Sequence, residues 1–178
     1  MKKFLIIMVL GLLCSNIGTA SEFEWIKNQK EFQDSNRLLH WDKSKRFEKF
    51  LRAHMTQKKY FVENLMESMS KPKENPIRYF DNKRYVFIAS CKYRFCTEKG
   101  LVFIDTLNQE IIGTYLWDEQ DDKNSIGLVI LSKNHQTYNE LPKPFLKTLK
   151  DWKKQNNLDQ RPAIIEFVGK DDIVQKIK

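Results

Sequence analysis

The hydrophobic rhythm of the chain changes at Pro76, and that change decides the fold class. Upstream, Ser44 is placed to cap a helix. Phe47, Phe50, Leu51 and His54 then fall at i, i+3, i+4 and i+7, while Lys45, Arg46, Glu48, Lys49 and Arg52 face water. A second helical segment, from about residue 57 to 69, sets Phe61, Leu65 and Met69 on one face. Lys71-Pro72 and Asn75-Pro76 end it, because a residue before proline is pushed out of helical backbone.

Downstream the runs are short, aromatic and β-branched. Residues 77–80 and 85–90 read as a hairpin about Asp81-Asn82-Lys83, residues 101–105 and 111–117 as another about Asn108-Gln109, and residues 126–131 as a further strand. Their centres are apolar on both faces, so helices should cover at least one side of the sheet. Pro142 and Pro144 open a third helix, with Phe145, Leu149 and Trp152 inward and Lys147, Lys150, Lys153 and Lys154 outward. A last strand at 163–167 and a short polar tail complete the order. Helix, helix, strands, helix, strand predicts an α+β domain in which an antiparallel β-sheet packs with helices.

Composition agrees with one globular domain. Of the 178 residues 41% are hydrophobic and 30% charged, which excludes disorder, and six Gly with five Pro are too few for low-complexity linkers. A chain of this length buries roughly 70% of its unfolded surface without needing metal clusters.

The first twenty residues read as an address. Lys2 and Lys3 precede an apolar run from Phe4 to Leu13, and Gly18-Thr19-Ala20 offers small side chains for cleavage after Ala20. The run is too short for a bilayer core that needs about 20 residues, so no integral membrane segment is expected after cleavage. A lipoprotein would use Cys14, but the bulky Leu13 stands where a small residue is wanted. The expected product is a secreted single domain, residues 21–178, carrying +6 of the +8 net charge once Lys2 and Lys3 are gone.

Cleavage also leaves only Cys91 and Cys96, which in an oxidising compartment are expected to pair. So small a loop contributes only about 2 kcal/mol through chain entropy. Its larger effect is to freeze Lys92, Tyr93, Arg94 and Phe95 in one protruding shape, lowering the entropy lost on docking. A thiol oxidoreductase is the competing use, but reactive dithiols ordinarily sit two residues apart at a helix start.

Other chemistry is sparse. The sequence has no glycine-rich phosphate loop, no His-Glu-x-x-His and no paired-cysteine zinc pattern, so neither a metal nor a cofactor is expected. His40, His54 and His135 are scattered: the first beside Trp41, the second on the first helix, the third in a polar loop. No serine sits in a nucleophile elbow. The acidic run 118–122 reads as a solvated hairpin loop, with a weak calcium site or recognition of a basic partner as its other uses. Lysines fall mostly on outward helix faces, and with a secretory address nucleic acid is not an expected partner.

The stretch 85–96, ending Ser-Cys-Lys-Tyr-Arg-Phe-Cys, followed by strand 101–105 and Asn108-Gln109-Glu110-Ile111-Ile112-Gly113, resembles the inhibitor of vertebrate lysozyme family, Ivy. The likeness runs from about Phe47 to Asn134, and the short cysteine loop is its most specific feature. Such a resemblance implies an Ivy-like single domain in the periplasm of a Gram-negative bacterium. There it would act as no enzyme, but would push its disulfide-closed loop into the active site of a c-type lysozyme, where the family's loop histidine meets the catalytic carboxylates. Cys91, Lys92 and Cys96 match the family pattern; Tyr93 stands at its proline, Arg94 at its histidine and Phe95 at its aspartate.

An exposed arginine offers a permanent, bidentate partner for a carboxylate, and aromatic neighbours supply anchoring surface. The expected partner is therefore a peptidoglycan-cleaving glycosidase, a c-type lysozyme or a lytic transglycosylase, each dependent on a catalytic acid. A net charge of +6 disfavours a basic target and favours an acidic cleft. The resemblance also admits a homodimer. The alternative is an envelope-binding module whose lysines at 143–154 touch anionic glycan or lipid, or an immunity protein against a different cell-wall hydrolase.

Overall fold

The computed structural model describes residues 23, 26, 44–56, 58–71, 77–94, 96–117, 125–160 and 163–177. Residues 1–31 and 32–178 form separate compact units. In the first only Phe23 and Ile26 are described, both buried, and the expected signal segment lies outside the described residues.

The second unit opens with α1 (Lys45–His54), whose first turn is closed by the Ser44 hydroxyl accepting from the Phe47 N–H at 3.1 Å. Such a cap contributes about 1 kcal/mol. Phe47, Phe50 and Leu51 are buried as the stripe predicts, and His54 is half-buried with its ring 5.0 Å from that of Phe50. In α2 (Lys59–Glu67) the inward face is Val62, Leu65 and Met66, with Met69 buried just beyond. Phe61, expected on the inward face, lies only partly inside.

Among the described residues seven strands follow in one sheet whose spatial order equals their sequence order: β1 (Ile77–Phe80), β2 (Tyr85–Cys91), β3 (Lys99–Asp105), β4 (Glu110–Trp117), β5 (Ile126–Ser132), β6 (Ala163–Val168) and β7 (Val174–Ile177). The first five pair antiparallel, as expected. β5 and β6 instead run parallel, because α3 (Lys143–Gln155) carries the chain back across the sheet as a crossover between them. The predicted polar tail is β7, an antiparallel edge strand whose polar residues fit a half-exposed position.

Helices cover both faces. Alternation along the strands sends Phe87, Leu101, Phe103, Ile112 and Leu128 toward Phe145, Leu149 and Trp152 of α3. The opposite face carries Gly100 and Gly113, where the backbone admits Met69, Leu65 and Met55. A Cβ on Gly113 would stand 2.7 Å from Leu65 Cδ2 and from Met55 Cε, and one on Gly100 2.4 Å from Met69 Cγ. Two strand residues without side chains thus set how closely α1 and α2 approach the sheet.

The β3–β4 turn is organised by Asp105, buried and accepting from Arg84 Nε and Nη2 at 3.2 and 3.0 Å, from the Leu107 and Asn108 N–H groups, and from Asn108 Nδ2. Gln109 takes the left-handed conformation, φ 53°, that tightens the predicted Asn108-Gln109 turn.

Candidate functional site

The connection from β2 to β3 begins where Cys91 ends its strand, buried, and closes when an exposed Cys96 returns to it through a disulfide with Cα atoms 5.0 Å apart. The ladder persists one step beyond the strand, the Lys92 N–H donating to the Glu98 carbonyl at 3.0 Å. Three further bonds fasten this base to the segment just after α2. The Lys71 N–H donates to the Cys91 carbonyl at 2.8 Å, the Ser90 hydroxyl to the Lys71 carbonyl at 2.8 Å, and the Tyr93 N–H to the Ser70 hydroxyl at 2.9 Å. The loop is held at its base, at its tip and across its disulfide.

Of the expected contact residues, Lys92 is internally committed. Its ammonium lies 2.9 Å from Glu67 of α2 and bonds both Glu98 oxygens at 2.9 and 3.0 Å, and hydrogen bonds to Glu67 and then Glu98 raise its pKa. It is a strut. Tyr93 and Arg94 stand outward, Tyr93 57% exposed, with the Arg94 guanidinium 5.7 Å from the centre of the Tyr93 ring. Arg94 has φ 70°, a left-handed backbone that costs a non-glycine residue of order 1 kcal/mol, so the closed loop holds it where the free residue would not stay. Phe95 lies outside the described residues, as do the acidic 118–122 run, His40 and Trp41.

Positive charge gathers on the open side. Lys71 Nζ lies 3.9 Å from the Cys96 sulfur and the Lys99 ammonium donates to the Cys96 carbonyl. Burial, with Lys71 adding repulsion, lowers the Lys99 pKa. With Lys92 committed to two carboxylates, Lys71, Arg94 and Lys99 are the cations beside the loop among the described residues. Sequence alone named Arg94 and missed the two lysines, since their convergence depends on α2 ending beside the hairpin.

His135 is not the loose loop residue its surroundings suggest. Its Nδ1 lies 3.0 Å from Glu110 Oε1 at the start of β4 and 2.8 Å from the Ser132 hydroxyl at the end of β5. Burial, with Asp105 adding repulsion, pushes the Glu110 carboxyl up to about 7, and burial lowers the His135 pKa. Serine, histidine and glutamate together resemble a nucleophile triad in composition only. Both oxygens meet the same ring nitrogen, so the carboxyl does not orient the imidazole from its far side, and Ser132 is fully buried.

Among the described residues no group of three or more His, Cys, Asp or Glu is placed to hold a metal ion, and no helix is long and apolar enough to cross a membrane. No protein-family model, no curated protein and no solved structure matches this chain.

Proposed function

We propose that this chain is a secreted, periplasmic inhibitor protein that inserts the Cys91–Cys96 loop into the active site of a peptidoglycan-cleaving glycosidase, a c-type lysozyme or a lytic transglycosylase, with Arg94 meeting the catalytic carboxylic acid. In this role the protein is a ligand for an enzyme and performs no chemistry itself. The observation that carries the proposal is the pre-set loop: a disulfide-closed segment tied to the end of α2 that presents Tyr93 and Arg94 outward. A loop already fixed loses little entropy on docking. A guanidinium beside an aromatic ring suits a carboxylate in a glycan cleft, by bidentate hydrogen bonds and by stacking. The Ivy-like residues Cys91, Lys92 and Cys96 support the same reading, and Lys92 acts as the strut of that loop.

Lys71 and Lys99 beside the loop favour an acidic cleft over a basic one. A lytic transglycosylase or another cell-wall hydrolase with such a cleft is therefore the preferred target. The test is inhibition of purified enzymes of both classes by the oxidised protein at moderate salt. Stoichiometric inhibition, lost on reduction of the disulfide, is expected for at least one class. No inhibition of either would remove glycosidase inhibition as the function.

A further inference from the structure

On the α3 face of the sheet a cleft of about 400 Å³ opens between α3 and the outer strands β1 and β2. Its volume lies in the ordinary range for small-ligand sites. The floor is aromatic: the Tyr85 ring stacks on Phe103 at 5.5 Å and lies 4.8 Å from the Arg84 guanidinium. Phe80 stands at the mouth, 45% exposed, edge-on to Phe87 at 6.5 Å. It is the most exposed ring in this cleft.

The rim supplies the opposite chemistry. Arg78 and Asp81 come from the β1 side, Lys147 and Asp151 from α3. Arg78 reaches across to Gln155 with a long 3.5 Å hydrogen bond; Asp81, Lys147 and Asp151 make no side-chain hydrogen bond or ion pair with any described residue. The four charges sum to zero, so these side chains by themselves select neither sign of ligand. They leave donors and acceptors side by side above an aromatic mouth. An acyl chain would leave these groups desolvated without partners, which costs free energy. A hydroxylated ring satisfies both kinds of group while laying its C–H face on Phe80.

We infer that the cleft between β1 and α3 is a binding site for a neutral saccharide unit, stacked on Phe80 and hydrogen-bonded by Arg78, Asp81, Lys147 and Asp151. The site is separate from the 91–96 loop and does not depend on its function.

The test is calorimetric titration of the intact, oxidised protein with the β-1,4-linked trimer of N-acetylglucosamine and with maltotriose, and separately with laurate as an apolar comparator. Saturable binding of one trisaccharide is expected. It should be weakened about five-fold or more by Phe80→Ala, consistent with loss of one stacking contact, and also weakened by Asp151→Asn, while Arg94→Ala leaves it unchanged. Both weakening substitutions lie at exposed positions, and circular dichroism checks that the fold persists. Absence of saturation with either sugar up to the order of 10 mM, binding indifferent to Phe80→Ala, or Phe80-dependent binding of laurate alone would each overturn the inference.

Discussion

The Tyr93 N–H donates to the Ser70 hydroxyl at 2.9 Å, so the tip of the disulfide loop hangs on the segment just after α2. A helix end and a hairpin tip remote in sequence are thereby made one surface. Ser70→Ala should raise the hydrogen-exchange rate of the Tyr93 amide several-fold. Because the bond is exposed, global stability should fall by less than about 1 kcal/mol. Exchange at Tyr93 equal to that of the parent protein would show that the disulfide alone sets the loop.

Lys92 and Arg94 sit two residues apart and should behave oppositely. Lys92 is bound to Glu67 and Glu98 in a half-exposed arrangement open to screening by salt, so Lys92→Met should cost at most about 1 kcal/mol of stability. The effect should shrink at high salt, and affinity for the target should change little. Arg94→Ala should leave thermal unfolding unchanged and weaken the complex by about 2 kcal/mol or more if the guanidinium is buried on binding. Paired melting and binding curves at low and high salt separate the two roles.

Glu110 gives the fold a pH dependence of definite sign. Its folded pKa is raised to about 7, above the ordinary 4.5, so between these values the folded state holds a proton that the unfolded chain has released. Its contribution therefore turns against folding as pH rises through that window, and the penalty is complete above about 7. Glu110→Gln should stabilise the protein at pH 8 by on the order of 2 kcal/mol, since each pH unit between the two values is worth about 1.4 kcal/mol and relaxation of the site recovers some of it. The advantage should vanish near pH 4. Denaturant melts across this range check it, and equal destabilisation at both ends would mean that the contact with His135 outweighs burial.

Gly113 tests how closely the helices sit on the sheet. The added carbon of Gly113→Ala would press on Leu65 and Met55, so a loss of about 1–3 kcal/mol is expected, in the range of overpacked cores. Adding Met55→Leu, which shortens the side chain in the way, should recover part of it. Urea denaturation of the single and double variants measures both.

The stripes that placed α1 and α3 were legible because each side chain at i, i+3 or i+4 answers to a single helix face. Ser44, Phe47, Phe145, Leu149 and Trp152 do what their spacing requires. The strands were legible from their apolar runs, but the direction of β6 was not. It follows from α3 returning the chain to the same end of the sheet, a fact about the path in space that no local pattern encodes. β7 was missed because an edge strand needs no apolar alternation. At the candidate site the cysteine pair and Arg94 were visible as residue types. Lys92 turning inward, and the arrival of Ser70, Lys71 and Lys99 beside the loop, depend on contacts between α2 and the β2–β3 hairpin. The contact of His135 with Glu110 arises likewise from the pairing of β4 with β5.

The most direct measurement is the inhibition constant of the oxidised protein against a lytic transglycosylase and a c-type lysozyme, set beside those of Arg94→Ala and Arg94→Lys. Insertion of the loop against a catalytic carboxylate predicts tight inhibition of one enzyme by the parent protein, a loss of about 30-fold or more for alanine, and partial retention for lysine, which keeps the charge without the fork. Inhibition that survives Arg94→Ala unchanged would contradict it, as would failure of the parent protein to inhibit either enzyme.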